Sequence, residues 1–375
     1  MKWEQLISKN LKNYITYTSG ASVPDLLSRF KINEDSILKL DANENVFIEP
    51  SWLRERINEA IQSSCVARYP DNLYLDARNS LANYFNIKSE QILLGNGSDD
   101  ILDVIVHAFL DNSSELITAE PTFSMYEFLT KIVGAKHVST LLDDNFDVNS
   151  EEVLASISDN TKVIILASPN NPTGNHLSPD KLRQIIEGTD RIVVIDEAYV
   201  DFADYNLLNW ISNYENLIIM RTFSKSWGLA GLRVGYAVAN KELITFLKNV
   251  QKPYSLNIIG QAIIPVIINS ISYIDETIQK IKNERKWLTQ AYQTVDNLKS
   301  YPSMTNFFLL RILKENITAD KLIEQLIKHN IIIRDRSDQP LLQNCVRITI
   351  GTHEMNEYVI TTLKKILGEK SNERK

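Results

Sequence analysis

One lysine sets the chemical question. In "TFSKSWGLAGLRVGY" (222–236) Lys225 stands between two serines, with Arg233 eight positions further on. Held in an apolar pocket or beside another cation, such an amine loses its proton readily and attacks carbonyls; left in solvent it is an ordinary surface charge. Two upstream stretches carry polar groups of comparable interest. "SPNNPTG" (168–174) offers Asn171, and "DEAYVDF" (196–202) offers Asp196 and Tyr199. Taken one at a time, each has a structural reading: "NNPTG" is a good turn, an aspartate caps a helix or pairs with a cation, and a lysine beside serine is solvated. Taken together, in this order, they have no such simple explanation.

The elements that must position them follow from the hydrophobic pattern. From about residue 90 to 240, "QILL", "ELIT", "KVIILA", "RIVVID", "NLIIMR" and "GYAVA" alternate with helical stretches such as "SDDILDVIVHAFL" and "SPDKLRQIIEG". Near-continuous apolar runs, without strict alternation, predict a mostly parallel sheet covered by helices on both faces. "KVIILA", "RIVVID" and "NLIIMR" run straight into the segments bearing Asn171, Asp196 and Lys225. The carboxyl edge of an open α/β sheet is where ligands bind, so these side chains are expected to converge on one crevice.

That crevice has the parts for a pyridine ring bearing a phosphate. A carboxylate opposite a pyridine nitrogen keeps it protonated, and a protonated ring accepts the electron pair left when an α-proton departs. Asp196 suits that task, while Tyr199 and Asn171 suit a ring oxygen. "GNGSDD" places Ser98 and Asp99 ahead of a helix, where free N–H groups and the helix dipole favour an anion. It is too short for a dinucleotide fingerprint, and standing alone it also reads as a capping turn. Thr222, Ser224 and Arg233 are further candidates for holding a phosphate.

At 375 residues the chain exceeds the usual single core, and two domains are expected. After about residue 258 the pattern shifts to a long helical segment, then to strand-like "NFFLLRI", "NIIIR" and "VRITI" with the helical "DKLIEQLIKH" among them, an α+β texture. The expected division is 1–45 as an N-terminal arm, with "VPDLLSRF" helical, plus part of the small domain; 46–260 as the large domain; and 261–375 as the small C-terminal domain. The net charge of −7 comes without a basic cluster, which argues against nucleic-acid binding. Two distant cysteines and five histidines without ligand spacing point to no metal and to a reducing cytoplasm. "IIGQAIIPVII" is too short and interrupted to span a bilayer, and the polar N-terminus does not read as an export signal, so a soluble chain is expected.

The motifs also resemble a known family. "SPNNPTG", "DEAYVDF" and "TFSKSWGLAGLRVGY" are similar to the pyridoxal-phosphate aminotransferases of fold type I. "LDANEN" (40–45), "RYPD" (68–71), "GNGSDD" (95–100), "PTFSMY" (121–126), "KPYSLN" (252–257), "TNFFLLR" (305–311), "RDRSDQP" (334–340) and "RITIGT" (347–352) resemble the histidinol-phosphate aminotransferases. The resemblance implies a large domain with a mostly parallel seven-stranded sheet, a smaller α+β domain, and a homodimer with shared active sites. It also implies transamination between L-histidinol phosphate and 2-oxoglutarate, giving imidazole-acetol phosphate and L-glutamate, within histidine biosynthesis.

Carried over residue by residue, Lys225 is the Schiff-base lysine, Asp196 the pyridinium partner, Tyr199 and Asn171 the ring-oxygen ligands and Phe123 the stacking aromatic. Ser98, Asp99, Thr222, Ser224 and Arg233 surround the cofactor phosphate, with Tyr69 arriving from the second subunit. Arg347 grips the carboxylate of glutamate, a bidentate task suited to guanidinium. Arg334 and Tyr17 face the substrate phosphate, and Asn43 joins the substrate side. Phe123 replaces the more usual tyrosine, keeping stacking without the phenolic hydrogen bond; "LDANEN" lacks the proline and glycine that commonly follow, and Thr16 replaces a frequent proline. Sister activities on the same cofactor are an aromatic aminotransferase and a phospho-amino-acid decarboxylase. A non-catalytic regulator of this fold is expected to lack the lysine or to add a DNA-binding segment, and neither applies.

Overall fold

The computed structural model describes residues 3–11 and 37–368. The expected helix "VPDLLSRF", Thr16 and Tyr17 lie outside the described residues. The strands are β1 (Leu38–Lys39), β2 (Ile92–Gly95), β3 (Glu115–Glu120), β4 (Lys136–Leu141), β5 (Thr161–Ala167), β6 (Ile192–Asp196) and β7 (Leu217–Thr222). They continue with β8 (Gly235–Val238), β9 (Leu298–Ser300), β10 (Phe307–Ile312), β11 (Ile331–Ile332), β12 (Arg334–Asp335) and β13 (Cys345–Thr349).

A seven-stranded sheet in the order β2-β8-β7-β6-β5-β3-β4 forms the centre. Only β8 runs against its neighbours; β7, β6, β5, β3 and β4 pair in parallel. The unbroken apolar runs are explained by burial on both faces. Ile164, Leu166, Val193, Ile195 and Ile219 enter one core cluster, while Val163, Ile165, Val194, Ile218 and Met220 enter another.

Two sequence expectations are corrected. β4 was not foreseen, because "KHVSTL" lies at the sheet edge and exposes Lys136, Ser139 and Leu141, so it carries no apolar signature. "NIIIR" is not one strand: β11 pairs in parallel with β1 in a two-stranded sheet, whereas β12 turns to pair antiparallel with β13.

Strands β12-β13-β10-β9 make a four-stranded antiparallel sheet. Its core cluster takes in Phe307, Phe308, Leu310, Val346 and Ile348, together with Tyr199 and Phe202 from beyond the end of β6. The 22-residue helix Ile271–Tyr292 contributes Ile274 to the large sheet's core and Ile281, Leu288 and Tyr292 to the small sheet's, and its buried Arg285 donates to the carbonyls of Phe202 at 2.9 Å and Thr305 at 3.0 Å. No single helix among the described residues is long and apolar enough to cross a membrane; the helices Ile258–Ile268 and Ile271–Tyr292 reach that measure only together, with an 82° bend between them.

Candidate active site

Asp196 ends β6, aligned with Ala167 on β5 and Met220 on β7. Thr222 ends β7 opposite Gly235, which also stands opposite Gly95 at the end of β2. The chain segments leaving these ends meet in a cleft of about 240 Å³. Lining it are Asn43, Ser98, Asp99, Phe123, Asn171, Asp196, Tyr199, Thr222, Ser224, Lys225, Arg233, Arg334 and Arg347, so the structure brings together every expected site residue but two. Tyr17 lies outside the described residues, and Tyr69 is 82% exposed, stacked on Tyr254 with ring centroids 4.8 Å apart and away from its own chain's cleft.

Asp196 is buried, and burial pushes its carboxyl up to about 6 against the opposing pull of two donors. Tyr126 donates its hydroxyl to Oδ2 at 2.6 Å, and the Ala198 N–H donates to Oδ1 at 2.9 Å. Tyr126, not singled out from the sequence, also meets Phe123 edge-on with centroids 5.6 Å apart. Beneath the site, the neighbouring Glu197 takes the Arg221 guanidinium at 2.7 and 2.8 Å, a buried ion pair tying the ends of β6 and β7 together.

Asn171 and Tyr199 are both set up as donors. Asn171 Oδ1 accepts from Arg347 Nη1 at 2.6 Å, which assigns the amide orientation and leaves its NH₂ to donate. The Tyr199 hydroxyl accepts from Asn43 Nδ2 at 2.9 Å, which leaves its own hydrogen to give. Asn43 itself adopts a left-handed φ of 56° and is held by Thr349 and Asn306, so it works here through Tyr199. Arg347 also donates from Nη2 to the Asp41 carbonyl at 2.5 Å, and its guanidinium lies 5.4 Å from the Phe307 ring centroid. Lys225 Nζ donates to the Ala42 carbonyl at 2.9 Å and lies 5.8 Å from the centroid of Tyr199.

The residues read from the sequence as phosphate ligands gather where β2, β7 and β8 meet the cleft. Helix Ser98–Phe109 is capped by Gly97, whose φ is 91°, and its first two residues, Ser98 and Asp99, line the cleft at the end where an α-helix has unpaired N–H groups. A Cβ on Gly235 would stand 2.3 Å from the Ser98 nitrogen, so β8 approaches that turn as only glycine permits. Arg233 Nη2 donates to Asp99 Oδ2 at 2.8 Å, and Thr222 Oγ1 accepts the Ser224 N–H at 3.1 Å. The Asp99 carboxylate would repel a phosphate; its contribution to such a ligand is to orient Arg233. Arg336, lining the small-sheet wall beside Arg334, was also missed.

Comparison with known proteins places this geometry in a family. Residues 35–363 match the family model described as aminotransferase class I and II. The chain is 38% identical to a histidinol-phosphate aminotransferase of Flavobacterium psychrophilum over 364 residues, covering 96% of this chain and 98% of that one. The crystal structure of the histidinol-phosphate aminotransferase from Clostridium acetobutylicum superposes with a TM-score of 0.81 at 28% identity, covering 88% and 99% of the two chains. The enzyme of the same name from Sinorhizobium meliloti, in complex with pyridoxal-5′-phosphate, shares the fold with a TM-score of 0.86 at 22% identity, covering 96% and 97%. With its strand-end lysine, aspartate and tyrosine converging as described, the chain belongs to the class I and II aminotransferase family.

Proposed function

We propose that the protein is a pyridoxal-phosphate-dependent aminotransferase that moves the amino group of L-histidinol phosphate to 2-oxoglutarate, giving imidazole-acetol phosphate and L-glutamate. The observation that carries this reading is one cleft holding an amine (Lys225), a buried carboxylate (Asp196), two hydrogen-bond donors (Asn171, Tyr199), an anion cradle and a wall of arginines. The named relatives support the choice of substrates.

The residues present fit the cofactor. Asp196, its pKa lifted by burial and its oxygens held by the Tyr126 hydroxyl and the Ala198 N–H, suits a protonated ring nitrogen, and Ser98, Thr222, Ser224 and Arg233 bring hydroxyls and a guanidinium to one part of the cleft for a phosphate. When bound, pyridoxal phosphate supplies an aldehyde for an amine and a ring that accepts the electron pair released at the substrate's α-carbon. Asp196 would hold the ring nitrogen's proton, Tyr199 and Asn171 would donate to the ring oxygen, and Phe123 would stack on the ring. Lys225 Nζ, once free as an amine, takes and returns the proton at the substrate's α-carbon as base and acid. Arg347 takes the glutamate carboxylate and Arg334 the phosphate of the other donor, so one cleft serves two differently charged substrates.

The same reading divides the chain into 1–45, 46–260 and 261–375, supported by a central sheet drawn from 92–238, a second sheet from 298–349, and β1 pairing with β11. It places the protein in the cytoplasm as a homodimer. The exposed Val66, Tyr69, Leu73 and Leu75 supply an apolar surface for the second subunit.

Borohydride reduction of the loaded enzyme followed by peptide mapping tests the cofactor assignment, and label on any residue other than Lys225 would overturn it. A donor screen with 2-oxoglutarate tests the substrate, histidinol phosphate being expected to outrun phenylalanine. Lys225→Ala should keep the phosphate-anchored cofactor while turnover falls by roughly three orders of magnitude or more.

A further inference from the structure

The cationic side chains of the cleft are unevenly distributed. Lys225 and Arg233 belong to the large sheet's edge, whereas Arg334, Arg336 and Arg347 all come from the small sheet. Of the carboxylates that line the cleft, Asp99 pairs with Arg233 at 2.8 Å, Asp41 lies 3.0 Å from the Lys39 ammonium, and Asp196 accepts the Tyr126 hydroxyl at 2.6 Å. Three guanidinium groups thus gather on the small-sheet wall of the cleft.

Backbone geometry explains why Arg336 is part of that wall. Arg334 pairs with Arg347 and Asp335 with Val346, and the Arg336 N–H donates to the Cys345 carbonyl at 3.0 Å, continuing the same ladder one residue past β12. Residues two apart on a strand share a face, so Arg334 and Arg336 point the same way while Asp335 points outward and is exposed. The segment is also anchored across the cleft. Gln339 donates its backbone N–H to the Arg336 carbonyl at 3.2 Å and its side-chain amide to the Thr122 carbonyl at 3.1 Å, next to Phe123.

We propose that Arg336 is a second guanidinium, beside Arg334, for the doubly charged end of a phosphate-bearing substrate, and that it sets the preference for dianionic over singly charged amino donors. This rests on the phosphate-bearing donor assigned above. Two forked cations match the charge and the several acceptor oxygens of a phosphate dianion, whereas a carboxylate is satisfied by one.

The test uses the holoenzyme and Arg336→Gln, measuring kcat/KM separately for histidinol phosphate and for L-glutamate. The ratio of the two is expected to fall about tenfold or more in the variant, as for loss of a charge-assisted hydrogen bond, with Arg336→Lys recovering part of it. In the wild type, preference for the phosphate donor should rise with pH through the second phosphate pKa of about 6, and that rise should flatten in Arg336→Gln. A ratio unchanged within about twofold, as when both substrates suffer alike, would overturn the proposal. Should the wild type fail to use histidinol phosphate, the substrate reading falls on its own. Arg336 is then judged by inorganic phosphate competing against glutamate: about tenfold weaker competition in Arg336→Gln upholds its role, and equal competition removes it.

Discussion

Asp196 shows how a working site departs from what folding alone would favour. Its folded pKa of about 6 exceeds the ordinary 3.8, so the folded chain binds the extra proton between those values. The stability this group contributes is full below about pH 4 and lost as pH rises through 6, a penalty on the order of 3 kcal/mol at neutral pH in the cofactor-free protein. Asp196→Asn removes the buried charge. Its apo-protein melting temperature should therefore gain on the wild type as pH is raised from 5 to 7.5, while activity collapses; a difference independent of pH would contradict this account. Lys225, Asp196 and Asn171 were legible in the sequence because strand ends in a parallel sheet share one edge. Tyr126 was not, since its contact with Asp196 spans 70 residues. The available sign was its spacing: three residues after Phe123, in the first turn of helix Met125–Ile132, it meets the Phe123 ring edge-on. Arg336 was hidden differently, lying just past a strand of two residues that is too short to show alternation.

Among the elements, the strands buried on both faces were readable as continuous apolar runs and the edge strand β4 was not, because solvent on one side and a polar sequence erase the signal. The turn between β2 and its helix illustrates a different limit. "GNGSDD" announces an anion cradle, but the closeness of β8 to that turn is a tertiary fact, visible only in the 2.3 Å that a Gly235 Cβ would leave to the Ser98 nitrogen. Gly235→Ala forces backbone against backbone, with no flexible side chain to yield. We expect about 1–3 kcal/mol of lost stability and a weakened hold on cofactor phosphate. Thermal unfolding and the cofactor remaining after dialysis measure the two effects, and wild-type values for both would show the turn to be more compliant than described.

For the whole molecule, the position of Tyr69 carries the sharpest prediction. It is absent from its own chain's cleft, and the proposed dimer sends it into the partner's. Tyr69→Ala and Lys225→Ala should each depress activity, yet unfolding and refolding the two together should yield mixed dimers with one site holding both native residues, so activity exceeds that of either variant alone. No gain on mixing would mean that each chain completes its own site. Long-range order of this kind also shapes the reactive amine. Lys225 reaches back 183 residues to the Ala42 carbonyl, so folding has already surrendered most of the roughly 1.5–2 kcal/mol of rotamer freedom a lysine can lose. An aldehyde-bearing ligand would thus meet a nucleophile whose wandering ended when the chain folded, with no loose tether left to tame.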